Sequence, residues 1–216
     1  MTDPFRQSLD AGARTLGLAL EPAQLDQLLA YVGLLEKWAK VYNLTALRER
    51  QEMLTHHLLD CLALVAPLRR HLQTLTHPAR LLDVGAGAGL PGVVIAIGCP
   101  EVTVNSVDAV AKKAAFITQV ALTLRLKNLS GQHARVESLE ERFDVITSRA
   151  FASLADFTAW SANALADGGV WVAMKGKRPD EEIAALGTGL KVFHVERLQV
   201  PGLEAERCLV WISRSA

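Results

Sequence analysis

Residues 80–92, R-L-L-D-V-G-A-G-A-G-L-P-G, constrain this chain more than any other stretch. Leu81, Leu82 and Val84 have the character of a buried strand end, and Gly85, Gly87 and Gly89 let the backbone turn tightly and approach a ligand closely. The apolar run at 93–97 follows at once and starts a helix. Strand, glycine turn and helix N-terminus together predict a nucleotide-sized pocket with free backbone N–H groups.

The spacing bears on which nucleotide. A dinucleotide fingerprint needs glycines at first, third and sixth positions; counted from Gly85 the sixth is Leu90, and Gly89 is the fifth. The pattern D-x-G-x-G-x-G resembles instead the first motif of class I S-adenosylmethionine-dependent methyltransferases, and Asp83 before the turn suits a ligand that carries an ammonium group. On this motif alone both cofactors stay open, as does a turn that binds nothing.

Composition excludes several classes. With 216 residues, half of them hydrophobic, the chain can bury a full core. Twenty-three basic and 23 acidic side chains balance, which gives nucleic acid no support and leaves room for a local basic patch. Cys61, Cys99 and Cys208 are far apart, so neither a zinc cluster nor a disulfide framework is expected, and a reduced, cytoplasmic protein is. The start M-T-D-P-F-R-Q-S lacks a basic and then an apolar region, and the longest apolar stretch is interrupted, so no signal peptide or membrane span is expected.

Residues 1–70 read as a helical extension ahead of a compact unit at 71–216. Leu25, Leu28, Leu29, Val32 and Leu35 recur at helical spacing after Glu21 and Pro22. At the far end of that helix Trp38, Tyr42 and Asn43 stand among Lys37, Lys40, Arg48 and Arg50. They form either an aromatic and cationic grip on single-stranded nucleic acid or a core tryptophan and tyrosine beneath a charged face. A further helix at about 51–66 puts His57 and Asp60 on one face, too few ligands for a metal and better suited to bracing helix against sheet.

Beyond the turn, strands alternate with helices, which predicts a parallel sheet covered on both faces. Strands are expected at 102–107, 129–134, 143–150, 170–174, 191–200 and 206–212, the last two as a hairpin. Asp108 closes the second strand, placed either to accept from ribose hydroxyls or to cap the helix that follows. Val136 and Glu137 follow the third strand at the ligand-facing edge, where an apolar residue can cover an adenine or simply make a loop. Arg149 and Lys175 close adjacent strands and are expected to face the cleft, there to bind a phosphate or the cofactor carboxylate, or else to stand as solvated loop charge. After the fourth strand the chain has Ser148-Arg149-Ala150-Phe151 in place of the Asn/Asp-Pro-Pro-aromatic turn common in methyltransferases of exocyclic amines. No cysteine is expected at a strand exit on this edge, which disfavours a carbon target.

Over nearly its whole length the chain resembles the RsmG (GidB) family of 16S ribosomal RNA methyltransferases. The resemblance rests on WAKVYNLTALR, HHLLDCL, LLDVGAGAGLPG, SRAFASL, MKG and LQVPGLEAERCLVWI, in that order. It implies a class I methyltransferase fold, with a mostly parallel seven-stranded sheet whose last strand is antiparallel. It also implies S-adenosylmethionine as cofactor and N7 of a guanine in a loop of 16S ribosomal RNA, free or in the small subunit, as target. Carried over by motif, cofactor contacts fall on Gly85, Gly87, Leu90, Val136, Glu137 and Arg149, with Asp108 on the ribose; Lys175 and Arg48 are the candidate RNA contacts. The chain departs from the pattern at Ala86, Ala88 and His56, and alanines after Lys113 thin a run that is often basic. N7 carries a lone pair and no proton, so no catalytic acid, base or nucleophile is assigned, and no metal. A monomer without a membrane partner is expected. The rival classes are a nicotinamide-dependent oxidoreductase and a nucleotide-binding regulatory module.

Overall fold

A computed structural model describes residues 3–42 and 50–215. Arg48, with Asn43 and the side chains of Lys40 and Tyr42, lies outside the described residues. Helix α1 (Pro4–Thr15) begins where Pro4 needs no N–H partner and the Asp3 carboxylate accepts from Phe5 N at 3.0 Å. It buries Phe5, Leu9 and Ala13, one face at four-residue steps. Helix α2 (Pro22–Tyr42) buries Leu25, Leu28, Tyr31, Val32 and Leu35. The aromatic grip does not form at Trp38, whose ring packs on Phe116 at 4.9 Å between centroids; Arg50 is engaged too, over the Phe5 ring and 3.6 Å from Glu36.

The helix expected at 51–66 is three segments. A single turn, α3 (Arg50–Met53), runs into a π-helical stretch, Leu54–Leu59, and then α4 (Asp60–Leu72), which passes through the expected boundary at 70. The rest alternates: β1 (Arg80–Val84), α5 (Gly92–Gly98), β2 (Thr103–Asp108), α6 (Ala111–Thr123), β3 (Leu129–His133), β4 (Phe143–Arg149), α7 (Leu154–Trp160), β5 (Leu165–Lys175), α8 (Asp180–Ala184), β6 (Leu190–Leu198) and β7 (Arg207–Arg214). The fifth strand starts earlier than expected because the chain loops out around Gly168-Gly169; Phe143 pairs Leu165, and Val145 resumes with Val170.

The seven strands lie in the order β3-β2-β1-β4-β5-β7-β6, and β7 runs antiparallel to both its neighbours. Alternation along β1 divides the core: Leu81 joins the cluster shared with α1, α2, α4, α5 and α6, whereas Leu82 and Val84 join Phe143, Phe157 and Trp171 on the other face. The N-terminal helices therefore cover one face of the sheet with a continuous core. Gln24 Nε2 donates to Ile97 O at 2.6 Å and Gln27 Nε2 to Leu124 O at 3.1 Å, fixing α2 across the ends of α5 and α6. Among the described residues no helix is long and apolar enough to cross a membrane.

Candidate active site

A cleft of about 400 Å³ opens at the carboxyl ends of β1, β2 and β3, walled by Gly85, Asp108, Val136, Glu137, Phe151 and Trp160. Two positions explain the glycines. At Gly85 φ is +65°, and a Cβ built there runs into the Phe151 ring; at Gly87 φ is +58°, and the nearest atom to such a Cβ is 3.9 Å away, so the open side of the turn faces free space. Four of the turn's N–H groups are bound within the protein, where the sequence suggests free ones. Ala86 N donates to Val107 O at 3.1 Å, Gly87 N to Asp108 Oδ2 at 2.9 Å, and Gly89 N and Leu90 N both to Ala86 O at 2.7 and 3.0 Å. So tight a turn closes on its own Ala86 carbonyl and on the neighbouring strand. From the helical side, the buried Tyr31 hydroxyl donates to Ala88 O at 2.6 Å.

Asp108 holds the start of the following helix and the glycine turn while lining the cleft. Oδ1 accepts from Val110 N at 2.8 Å, which steadies the start of α6, and Oδ2 holds Gly87 N; Lys113 Nζ stands 3.8 Å away. A carboxylate has about four acceptor sites, so two remain for hydroxyls from the cleft. Asp83 ends on the opposite face of the sheet. It is fully enclosed, its Oδ2 accepts from Gly92 N at 2.8 Å, and its Oδ1 has no hydrogen bond. Burial pushes its carboxyl up to about 7, only partly offset by the Gly92 N–H and by Arg149. Asp83 is therefore enclosed and is not among the residues that line the cleft.

The strand-end cations turn inward. Arg149 Nη1 donates to His56 O at 2.9 Å and to Asp60 Oδ2 at 3.2 Å, and Asp60 Oδ1 takes Arg207 Nε at 2.8 Å. The expected brace of helix against sheet is real, but its partners for Asp60 are two arginines. His57 is held down to about 4, by burial first and then by Arg149. Lys175 Nζ bonds both oxygens of Glu182, at 3.0 and 2.8 Å, and Ala152 O at 3.1 Å; Glu182 Oε2 also accepts from Leu154 N. That ion pair ties the loop after β4 to α8, and neither residue lines the cleft. Leu90 is buried beneath the turn, outside the cleft wall. Cys208 stands at no strand exit, as expected, yet it does reach this edge. Because β7 is antiparallel, its first residues stand at the carboxyl edge, where Cys208 pairs Lys175 in register; the residue is buried, and burial raises the thiol. Among the described residues no cluster of His, Cys, Asp and Glu has a metal-binding arrangement.

The structure thus brings Gly85, Asp108, Val136 and Glu137 together on one cleft and sets Gly87 at its turn, whereas Leu90, Arg149 and Lys175 lie behind or beside it. Sequence reasoning missed Tyr31, Phe151 and Trp160. Only Phe151 carried a signal, its place directly after a strand end. An acceptor-bearing carboxylate beside apolar and aromatic walls, at a turn whose open side is clear of atoms, fits an adenosine.

Six parallel strands, one antiparallel strand in the penultimate position and a nucleoside-sized cleft beyond β1 and β2 define a class I S-adenosylmethionine-dependent methyltransferase. Solved structures share the fold: TrmN from Thermus thermophilus (TM-score 0.56, 17% identity, covering 75% of this chain and 53% of that one), and the glycopeptide N-methyltransferase MtfA complexed with S-adenosyl-L-methionine (0.56, 11%, 70% and 93%). The family model GidB, rRNA small subunit methyltransferase G, matches residues 24–210, and the chain belongs to that family. Similar relatives include the ribosomal RNA small subunit methyltransferase G of Polaromonas sp. (strain JS666 / ATCC BAA-500), 65% identical over 208 residues (95% of this chain, 92% of the relative). That of Acidovorax sp. (strain JS42) is 64% identical over 214 residues (96% and 95%). The cofactor is S-adenosylmethionine, and the dinucleotide and regulatory readings fall away.

Proposed function

We propose that this protein methylates N7 of a guanine in a loop of 16S ribosomal RNA, working as a cytoplasmic monomer on that RNA, free or within the small subunit. The observation that carries the reading is the match to the family over residues 24–210. S-adenosylmethionine supplies an electrophilic methyl on a sulfonium. The chain's own residues bind and orient: the Gly85–Gly87 side of the turn admits the ligand closely, Asp108 accepts from its ribose, and Val136 and Glu137 border its base. Guanine N7 offers an in-plane lone pair without a proton, so alignment and exclusion of water suffice. Effective molarities for well-oriented partners are worth up to about 7–11 kcal/mol. Asp108 fits that requirement as a binding group, since both its oxygens already accept from backbone N–H groups. Arg149 reaches the cofactor in this reading only as far as Asp60 lets it, and exposed cations at the same edge, Lys112, Arg135 and Lys177, join Arg48 as the contacts for RNA phosphates.

The test is incubation of the purified protein with tritiated S-adenosylmethionine and small subunits or 16S RNA from a strain deleted for the gene, followed by mapping of N7-methylguanine through borohydride and aniline cleavage. One new cleavage site in a loop is expected. Label in another base, or none with either substrate, refutes the proposal.

A further inference from the structure

Trp160 closes α7 with 42% of its surface exposed, and it stands on the wall of the cleft. The indole is braced from behind. Phe151 meets it edge-to-face, with centroids 5.7 Å apart and planes at 83°, and Phe151 meets the buried Phe157 in the same way at 6.4 Å and 78°. The Phe151 ring also lies against Gly85 so closely that no side chain fits there, which fixes this aromatic row to the glycine turn. Such a row is packed on its protein side and leaves part of the indole open to the cleft. A large flat apolar surface left open inside a cleft is suited to a flat π-ligand.

The choice between the two purines of the reaction follows from distance along a nucleoside. The turn Ala162–Ala164, directly after Trp160, packs against the turn Val136–Ser138, so the indole and the buried Val136 wall one slot. Asp108, with acceptor sites to spare for a ribose, lines the same cleft. A base sits one glycosidic bond from its ribose, so the base nearest Asp108 is the one that fills this slot. We infer that Trp160 is a binding residue for the cofactor's adenine, its indole forming the wall opposite Val136. The inference rests on the reading of the cleft as the S-adenosylmethionine site. Phe151 supports the indole and holds its angle.

Two probes test it, S-adenosylhomocysteine and 5′-methylthioadenosine, the second lacking the amino-acid end. Calorimetry on wild-type protein, Trp160→Phe and Trp160→Ala, each checked for unchanged far-ultraviolet circular dichroism and melting temperature, is expected to show Trp160→Ala weakening both probes by the same factor. That factor should be about tenfold or more, the range of aromatic–base stacking. Trp160→Phe should keep most of the affinity. Adding S-adenosylhomocysteine should change the intrinsic fluorescence of the wild type, and the change should vanish in Trp160→Phe, although Trp38, Trp171 and Trp211 remain. Unchanged affinity for both probes in folded Trp160→Ala, with a raised KM for RNA, overturns the inference and gives the indole to the target base. Failure of the wild type to bind either probe overturns the cofactor reading itself, and the inference with it.

Discussion

Two sides of one sheet edge obey the same strand-end rule and put it to opposite uses. On the β1–β2 side, Asp108 presents a carboxylate to an open cleft while its remaining acceptor sites hold the turn and the start of α6. On the β4–β5 side, Arg149 and Lys175 end their strands just as regularly, yet each is committed to an acid from a distant or later element, Asp60 or Glu182. The strand register tells which edge a residue reaches. What it serves there is decided by whichever partner another element supplies.

The sharpest way to break this comparison is at Asp60. Its carboxylate is almost fully buried between Arg149 and Arg207. Asp60→Ala strands two partly buried guanidinium groups and is expected to cost about 3–5 kcal/mol of stability in urea unfolding. A loss below about 1 kcal/mol would mean that the brace is ornamental. Asp108→Ala should act in the opposite manner: cofactor affinity, read by calorimetry, falls by about 1.5–3 kcal/mol as a charge-assisted hydrogen bond disappears, and stability falls less than affinity. If stability falls and affinity does not, Asp108 serves only α6 and the turn.

A pH series sharpens the contrast on the enclosed face. His57 is held near 4 against an ordinary 6.5, so below about 6.5 the unfolded chain takes up a proton that the folded one refuses, and stability is lost as pH falls towards 4. Asp83 does the reverse. Raised from 3.8 to about 7, it keeps a proton that the unfolded chain has released, and stability is lost as pH rises through that window. Between about 4 and 6.5 the two slopes oppose each other in the wild type. Asp83→Asn should therefore gain stability with rising pH more steeply than wild type, and His57→Gln should lose it. Parallel profiles for all three proteins would remove both shifts. The smallest effect is expected at Lys175. Lys175→Ala should cost about 1 kcal/mol of stability or less and leave the salt dependence of RNA binding unchanged, since its charge is already compensated by Glu182. A salt slope reduced by about one would restore Lys175 to the RNA.

The sheet was legible because strand ends and the glycine turn carry their own signals: Leu81, Leu82 and Val84 before Gly85, and the acid Asp108 closing the next apolar run. The brace was not. Asp60 meets Arg149 at a separation of 89 residues and Arg207 at 147, and no local pattern records such a meeting. The π-helical stretch was hidden for a different reason, since T-H-H-L-L-D has ordinary helical periodicity and one wider turn leaves no mark in composition. Cys208 required the direction of β7, which only pairing reveals. Glu182 was visible seven residues after Lys175, but its place in a helix's first turn already gave it an electrostatic reason to be there, and the lysine was not needed to account for it.

The position of β7 reaches back to the order of synthesis. It is the last in sequence of the described strands and an interior one, seated between β5 and β6. Until Arg207–Arg214 has left the ribosome, β5 presents an unpaired edge and β6 has no neighbour among the strands. The nascent chain can assemble its cofactor half early, with β1 to β5 in place, while its sheet stays open on one side for as long as the final stretch takes to emerge, on the order of seconds for some forty residues at about 5–20 residues per second. For that interval the exposed edge is open to wrong pairing, and it closes when β7 inserts.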